Sequence, residues 1–248
     1  MAQGDIRVGI GGWDFDPWRG SFYPDGLAKT RQLAFAAERL TAIEINATFY
    51  GSQKPATFAN WARSVPDGFR FALKASRYAT ARKKLAEGED SINRFLAQGL
   101  TELGDRLGPI LWQFAATKAF DPDDIAAFLA LLPKARDGLP LQHALEVRHE
   151  SFRDPAFIAL ARAANAAIVF ADSNEYPCID AATGHFSYAR LQCTIDACPA
   201  GYDDASLDQW ANTARGWAAN GRDAYLFFIA GAKVRNPAAA MALIDRLA

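Results

Sequence analysis

Residues 144–152 read ALEVRHESF, an apolar run that gathers polar residues at its end. Leu145 and Val147 alternate with Glu146 and Arg148, which is the period-two pattern of a β-strand. The alternation places Glu146 and Arg148 on one face of that strand. We interpret the stretch as a strand whose C-terminal end carries polar side chains toward a shared site.

Seven further stretches have strand character, and they are separated by Ala- and Leu-rich segments with helical periodicity. They cover residues 7–10, 42–46, 69–74, 109–114, 167–172, 186–192 and 225–229. Asp121-Pro122 is typical of a helix start, and the connection between the sixth and seventh strands is poor in helix. Eight strands alternating with helices predict one α/β domain over residues 1–248, a single (β/α)8 TIM-type barrel. An open Rossmann-like sheet is the alternative.

The composition of the chain favours a small-molecule protein. Lys and Arg total 27 against 28 acidic residues, whereas proteins dedicated to nucleic acids or membrane surfaces usually carry a basic excess. No apolar run is long enough to span a bilayer, no signal-type segment is recognisable, and the three cysteines fit no zinc spacing. We therefore expect a cytoplasmic protein that binds a small-molecule substrate, with nucleic acid less favoured and no membrane partner. The sequence does not indicate an oligomeric state.

Polar side chains stand at the C-terminal ends of six successive predicted strands. They are Glu44, Asn46, Lys74, Gln113, Glu146, Arg148, Asp172 and Arg190. Active sites of (β/α)8 barrels are built at this end, from strand tips and the loops that follow. The pattern predicts a polar pocket there. An internal layer of salt bridges without chemistry is the alternative, because buried charges must find partners.

The balance of charge in this set fits a substrate with hydroxyl and anionic groups, such as a sugar or a sugar phosphate. The predicted roles are acid–base catalysis for Glu44 and Glu146, anion binding for Lys74, Arg148 and Arg190, and proton partnership for His149 or Asp172. We expect Lys74 to clamp an anion rather than form a Schiff base, because nearby carboxylates would hold its proton. We also expect Glu146→Gln to abolish turnover while leaving folding intact.

The loops after strands one and three carry further candidates. Residues 9–24, GIGGWDFDPWRGSFYP, fail as a dinucleotide fingerprint because Asp14 stands where Gly or Ala is required. Trp13 is instead a candidate substrate-binding residue, as a stacking platform or part of a hydrophobic lid. Residues 74–85, KASRYATARKKL, indicate a solvated basic loop, with phosphate or nucleic-acid contact as the alternative.

Two other functions are consistent with the sequence. One is a divalent-metal-dependent phosphodiesterase or nuclease, with Mg²⁺ or Mn²⁺ held by Glu44, Glu146 and Asp172. We predict no other cofactor, and no dedicated metal residues beyond this alternative. The other is a non-catalytic ligand-binding module.

Taken together, several motifs resemble the YecE-like family, domain of unknown function 72, over essentially the whole chain. The matching stretches are GIGGW, WRGSFYP, EINATFY, FRFALK, LGPILWQF, LEVRHESF and ADS. The resemblance implies a TIM-like barrel and no established activity; kinship with endonuclease IV-like barrels is an analogy of fold. By similarity the pocket is lined by Trp13, Glu44, Asn46, Lys74, Gln113, Glu146, Arg148, His149 and Asp172.

The chain departs from the family pattern at three places. Residues 190–193 read RLQC where the family usually reads Arg-Leu-His-Gly, and Ala115-Ala116 replaces Pro-Pro. Ile229-Ala230 stands where the family usually has Asn-Asn. The seventh and eighth strands thus lack a titratable group and two amides at the expected mouth, which favours altered or absent chemistry.

Overall fold

A closed barrel of eight parallel strands forms the centre of the computed structural model, which describes residues 3–248. The strands are β1 Ile6–Gly11, β2 Ala42–Ile45, β3 Arg70–Lys74, β4 Leu107–Gln113, β5 His143–Glu146, β6 Ala167–Asp172, β7 Phe186–Leu191 and β8 Asp223–Phe228. Each strand pairs with its neighbours along the chain, and β1 closes the barrel against β8. The TIM-type barrel predicted from the sequence is confirmed, and the open sheet is wrong.

Helices surround the barrel. They are α1 Lys29–Ala37, α2 Ala47–Tyr50, α3 Pro55–Arg63, α4 Arg77–Thr80, α5 Glu89–Leu96, α6 Pro122–Ala130, α7 Pro155–Ala163, α8 Asp204–Trp217 and α9 Asn236–Leu247. The predicted start of α6 is confirmed, because the Asp121 carboxylate accepts the backbone N–H groups of Asp123 and Asp124. Between β6 and β7 the described chain forms no helix. Across residues 3–248, no helix combines the length and apolar character that a membrane crossing requires.

The barrel interior is packed solid below the mouth by small side chains facing aromatic rings. The small ones are Ala42, Ala72, Ala144 and Ala167 from β2, β3, β5 and β6; the rings are Phe186, Tyr188, Tyr225 and Phe227 from β7 and β8. The Tyr188 and Phe227 ring centroids lie 5.2 Å apart. Because large and small side chains share this space, the interior holds no channel, and a ligand site must lie at an end of the barrel.

Closure between β1 and β2 depends on Gly9. A Cβ atom at Gly9 would lie 1.8 Å from the carbonyl oxygen of Ala42, closer than any real contact. Only a residue without a side chain allows the two strands to approach this far. Gly9 in β1 is therefore explained by strand packing and needs no bound dinucleotide.

Candidate active site at the barrel mouth

A buried ion cluster occupies the C-terminal end of the barrel. Arg190 of β7 lies between Glu44 of β2 and Glu146 of β5, and both carboxylates are fully buried. The Arg190 Nε and Nη2 atoms donate to Glu44 at 3.2 Å each, and Nη1 donates to Glu146 at 2.7 Å. The strand alternation therefore aims these three side chains at one axis, as the sequence predicts.

Further donors complete the coordination of both carboxylates. The Tyr188 hydroxyl donates to Glu44 at 2.7 Å, and the Gln113 amide donates to Glu146 at 2.6 Å. Arg148 donates to the second oxygen of Glu146 at 3.2 Å and 3.3 Å. Each of the four carboxylate oxygens thus accepts at least one hydrogen bond, so the cluster satisfies the requirement that buried charges be paired.

The electrostatics of the cluster favour fixed charges. Burial by itself raises the pKa of Glu146, but the positive charges of Arg190 and Arg148 outweigh it and hold that pKa below its ordinary value. Burial, and then the negative charge of Glu44, raises the pKa of the Tyr188 hydroxyl far above its ordinary value. Proton transfer by Glu146 would have to break its bonds to two guanidinium groups, which obstructs the predicted carboxylate acid–base role.

Lys74 differs from the other charged groups at this end. Its side chain is only 7% exposed, and Nζ lies 4.1 Å from the centroid of the Phe49 ring. Within residues 3–248 it has no carboxylate within 4.0 Å and no hydrogen-bond acceptor. Burial, reinforced by the positive charge of Arg190, lowers the pKa of Lys74 from 10.5 to about 8. The negative charges of Glu44 and Glu146 raise the pKa of Lys74, but burial and Arg190 lower it by more. The role of Lys74 as an anion clamp stays a prediction.

Two predicted proton partners lie away from the cluster. Asp172 is on the outward-facing side of β6, beside Phe170 rather than Val169, and accepts the Tyr202 hydroxyl at 2.6 Å. The prediction that Asp172 faces the mouth is wrong. His149 Nδ1 accepts the Ser151 backbone N–H at 3.2 Å and so caps a short 3-10 helix, contacting neither carboxylate of the cluster.

The metal site of the alternative phosphodiesterase function does not form. Glu44 and Glu146 are both bound to Arg190, and Asp172 points to the other side of its strand. In the described part of the chain no three His, Cys, Asp or Glu side chains come together in a way that could hold a metal ion. A guanidinium occupies the position between the two carboxylates that the cation would need.

A cavity of about 540 Å³ opens beside the cluster, at the ends of β1, β2 and β8. Its lining includes Trp13, Asp14, Asn46, Tyr50, Trp61, Ile229, Lys233 and Asn236. Gly11 keeps the space open, because a Cβ atom there would come within 3.1 Å of Asn46 and of Ile229. The Trp13 ring packs edge-on against Trp61, with centroids 5.5 Å apart. The structure thus brings two predicted binding residues, Trp13 and Asn46, into one cavity.

The cavity and the ion cluster are adjacent through β2 and α2. The Asn46 amide donates to the carbonyl oxygen of Glu44 at 3.4 Å. Tyr50 of α2 lines the cavity, while Phe49 beside it contacts Lys74. The residues that line the cavity include none of Glu44, Lys74, Gln113, Glu146, Arg148 and Arg190. The predicted set of site residues therefore divides into two neighbouring groups.

The strand-end pattern in the sequence did not predict several residues of the cavity. Tyr50 is the last residue of the EINATFY motif, so the first loop after β2 could have indicated it. Lys233 follows β8 by five residues, and Trp61 lies within α3, where its spacing is that of an ordinary core residue. Their convergence depends on how the loops fold over the mouth.

The basic segment 74–85 lies at the same end of the barrel and runs from the end of β3 through α4 and beyond. Tyr78 is 63% exposed, and the Arg77 guanidinium lies 5.2 Å from its ring centroid. Arg82 donates to the Ser91 hydroxyl at 3.2 Å. Contact of this segment with phosphate or nucleic acid stays an alternative to the predicted solvated loop.

Comparison with known proteins places the chain in a family. The family described as "Protein of unknown function DUF72" matches residues 7–248. The chain belongs to the DUF72 family. The resemblance predicted from the sequence motifs is thereby confirmed, and the family description assigns no activity.

Relatives of the DUF72 protein agree with this assignment. The UPF0759 protein YunF of Bacillus subtilis is 25% identical over 158 residues, covering 61% of this chain and 54% of that protein. The matched segment thus spans about half the length of that curated relative. Crystal structures of DUF72 family proteins from Thermotoga maritima (TM-score 0.75, 21% identity, 97% of each chain covered) and Enterococcus faecalis (TM-score 0.74, 18% identity, 98% and 95% covered) have the same fold.

Proposed function

We propose that this DUF72 protein is an enzyme that acts on a small, polar, partly anionic metabolite, such as a sugar or a sugar phosphate. The observation that carries the proposal is the 540 Å³ cavity at the barrel mouth, which is linked to the buried, unpaired amine of Lys74 through α2, where Tyr50 lines the cavity and Phe49 contacts the amine. A cavity of this size suits a small metabolite. Trp13, Tyr50 and Trp61 offer ring faces for C–H groups, and Asn46 offers hydrogen bonds for hydroxyls.

In this proposal Lys74, rather than a carboxylate pair, transfers the proton. A pKa of about 8 lets the amine exchange a proton near neutral pH, which is the condition for efficient general acid–base catalysis. Glu44, Glu146 and Arg190 supply fixed charges whose positions do not change during the reaction. Their hydrogen bonds to one another keep the environment of Lys74 constant.

The fold is compatible with sugar chemistry. A barrel similar to this one, with a TM-score of 0.54 and 12% identity over 97% of this chain, is D-psicose 3-epimerase crystallised in the presence of D-fructose. The likeness concerns the fold alone. The residues of the cavity therefore carry the proposal.

Proton transfer at carbon provides the test. The purified protein is incubated in heavy water with a panel of free and phosphorylated aldoses and ketoses, and proton NMR follows loss of C–H signals and appearance of new sugars. We expect exchange or conversion of at least one sugar, at a rate that rises with pH as Lys74 loses its proton. The Lys74→Met substitution should lower the rate of exchange or conversion by about 100-fold or more.

Lys118→Met is the matched control for this variant. Lys118 is a second buried lysine, with a side chain 9% exposed, but it is paired with Asp124 at 2.5 Å. Its loss should leave the exchange rate unchanged in the folded fraction. A protein that converts or exchanges none of these sugars, or a Lys74→Met variant with full activity, would overturn the proposal.

A non-catalytic ligand-binding module is the second candidate. Full pairing of both buried carboxylates favours it, because a binding protein needs no group that releases a proton. A sugar that raises the melting temperature, and is recovered unchanged with its C–H protons intact, would support this function over the enzyme.

A further inference from the structure

Lys233 is held at the rim of the cavity by two aromatic side chains. It lies in the connection from β8 to α9 and lines the cavity. Its ammonium lies 4.1 Å from the centroid of the Phe15 ring and 5.7 Å from that of Trp18. The Trp18 indole N–H also donates to the Lys233 carbonyl oxygen at 2.9 Å. Contacts to both its backbone carbonyl and its ammonium group therefore fix the position of this exposed cation.

The connection that carries Lys233 is held in place by close local contacts. Ala230 has a φ of 62°, an unusual value for a residue with a side chain, and Gly231 follows at 53°. A Cβ atom at Gly231 would lie 2.6 Å from the Thr194 hydroxyl oxygen. The Asn236 amide donates to the Ala230 carbonyl at 3.3 Å. Strain maintained by surrounding contacts next to a cavity is typical of functional loops.

The charges of the cavity leave Lys233 available for an anion. Asp14 also lines the cavity, but Lys29 compensates it at 3.1 Å. Among residues 3–248, Lys233 forms no ion pair with a carboxylate within 4.0 Å. Arg235, two residues later, is paired with Asp196 at 2.9 Å. An anionic group entering the cavity therefore meets one uncompensated positive charge.

The position of the cation in the barrel favours phosphate. Lysine binds a phosphate group as a compact point charge. The described lining contains a lysine and no arginine. Connections after the last two strands are also where (β/α)8 barrels frequently bind phosphate.

We propose that Lys233 binds the phosphate group of a phosphorylated sugar, whose polyol part lies across Trp13 and Asn46 toward β2. This inference rests on the proposed function for its site and names the substrate class and its orientation. The phosphate end lies at β8 and the opposite end lies at the end of β2, which is followed by α2, whose Phe49 contacts Lys74. Free sugars lack the group that Lys233 recognises.

Binding of two simple phosphates tests the inference without any knowledge of the reaction. Inorganic phosphate and glycerol 3-phosphate are titrated into the full-length protein and followed by calorimetry and phosphorus NMR, with glycerol as the uncharged comparison. We expect both anions to bind and Lys233→Met to weaken binding about 10- to 100-fold, the loss typical of one charge-assisted contact. Lys233→Arg, which keeps the charge, should restore most of the affinity.

Lys134→Met is the control for the change in net charge. Lys134 is exposed at the opposite end of the barrel, before β5, and its loss removes the same unit charge. Unchanged phosphate affinity in Lys134→Met, with a loss in Lys233→Met, supports the inference. Equal affinity in Lys233→Met and the parent protein, or no binding by the parent at about 10 mM of either phosphate, overturns it.

The inference and the proposed function can fail separately. Phosphate binding that depends on Lys233, in a protein that exchanges no C–H proton of any sugar, keeps the phosphate subsite and overturns the enzyme. Turnover of a phosphorylated sugar that depends on Lys74 but is unaffected by Lys233→Met keeps the enzyme and overturns the phosphate subsite.

Discussion

Replacement of Lys74 by methionine should make this protein more stable, although it removes a buried side chain. The amine is 7% exposed, and its pKa falls from 10.5 to about 8 because burial and Arg190 disfavour its charge. At about 1.4 kcal/mol for each pKa unit, keeping the charged form in the folded protein costs about 3 kcal/mol. The contact of the ammonium with the Phe49 ring offsets about 1 kcal/mol of this cost. Methionine has a similar shape, so a net gain of about 2 kcal/mol is expected.

The gain should depend on pH in a defined window. Between about pH 8 and pH 10.5 the unfolded chain retains a proton at Lys74 that the folded protein has released, so the parent protein gains stability as pH rises. The advantage of Lys74→Met is therefore full below about pH 8, shrinks above it and disappears near pH 10.5. Urea unfolding of both proteins at about pH 7 and pH 10, with linear extrapolation, measures the difference.

Lys118→Met shows how the same substitution should act on a paired lysine. It leaves the buried Asp124 carboxylate without its cation, although the Leu85 and Ala86 backbone N–H groups still donate to it. A loss of about 2 kcal/mol is expected, opposite in sign to Lys74→Met. If both variants were destabilised to the same extent, Lys74 would not carry an uncompensated charge and the argument for its low pKa would be refuted.

Three further outcomes follow from the packing. The Glu146→Gln substitution should lower the free energy of unfolding by about 3 kcal/mol, because Arg190 loses a buried partner. This differs from the expectation that folding stays intact. The loss should shrink in acid, at a pH below the ordinary carboxyl pKa, where Glu146 of the parent protein also loses its charge. Gly9→Ala should abolish folding, or cost more than about 4 kcal/mol in urea titrations, since its methyl group would overlap the Ala42 carbonyl. Tyr202→Phe should cost about 1 kcal/mol and leave any turnover unchanged, and a large loss of turnover would place the carboxylate of β6 in the reaction after all.

The strand-end prediction succeeded where alternation is visible in the sequence. In β2 and β5, apolar residues alternate with Glu44 and Glu146, so the inward face can be read directly. In β6 the run AIVFAD is apolar at five successive positions, because both faces of the strand are buried. The sequence pattern of β6 therefore does not show which side chains face the barrel interior. The outward position of Asp172 could not be predicted for this reason.

The sequence by itself determined the barrel, the end of the barrel where polar side chains gather, and the presence of Glu44, Glu146 and Arg190 at that end. These features depend on local periodicity along successive segments of the chain. Only the tertiary structure decided which charges neutralise one another. Arg190 engages both carboxylates and thereby leaves Lys74 without a partner. Ion pairing is decided by distances of a few ångströms between residues far apart in the chain, and no local pattern encodes those distances.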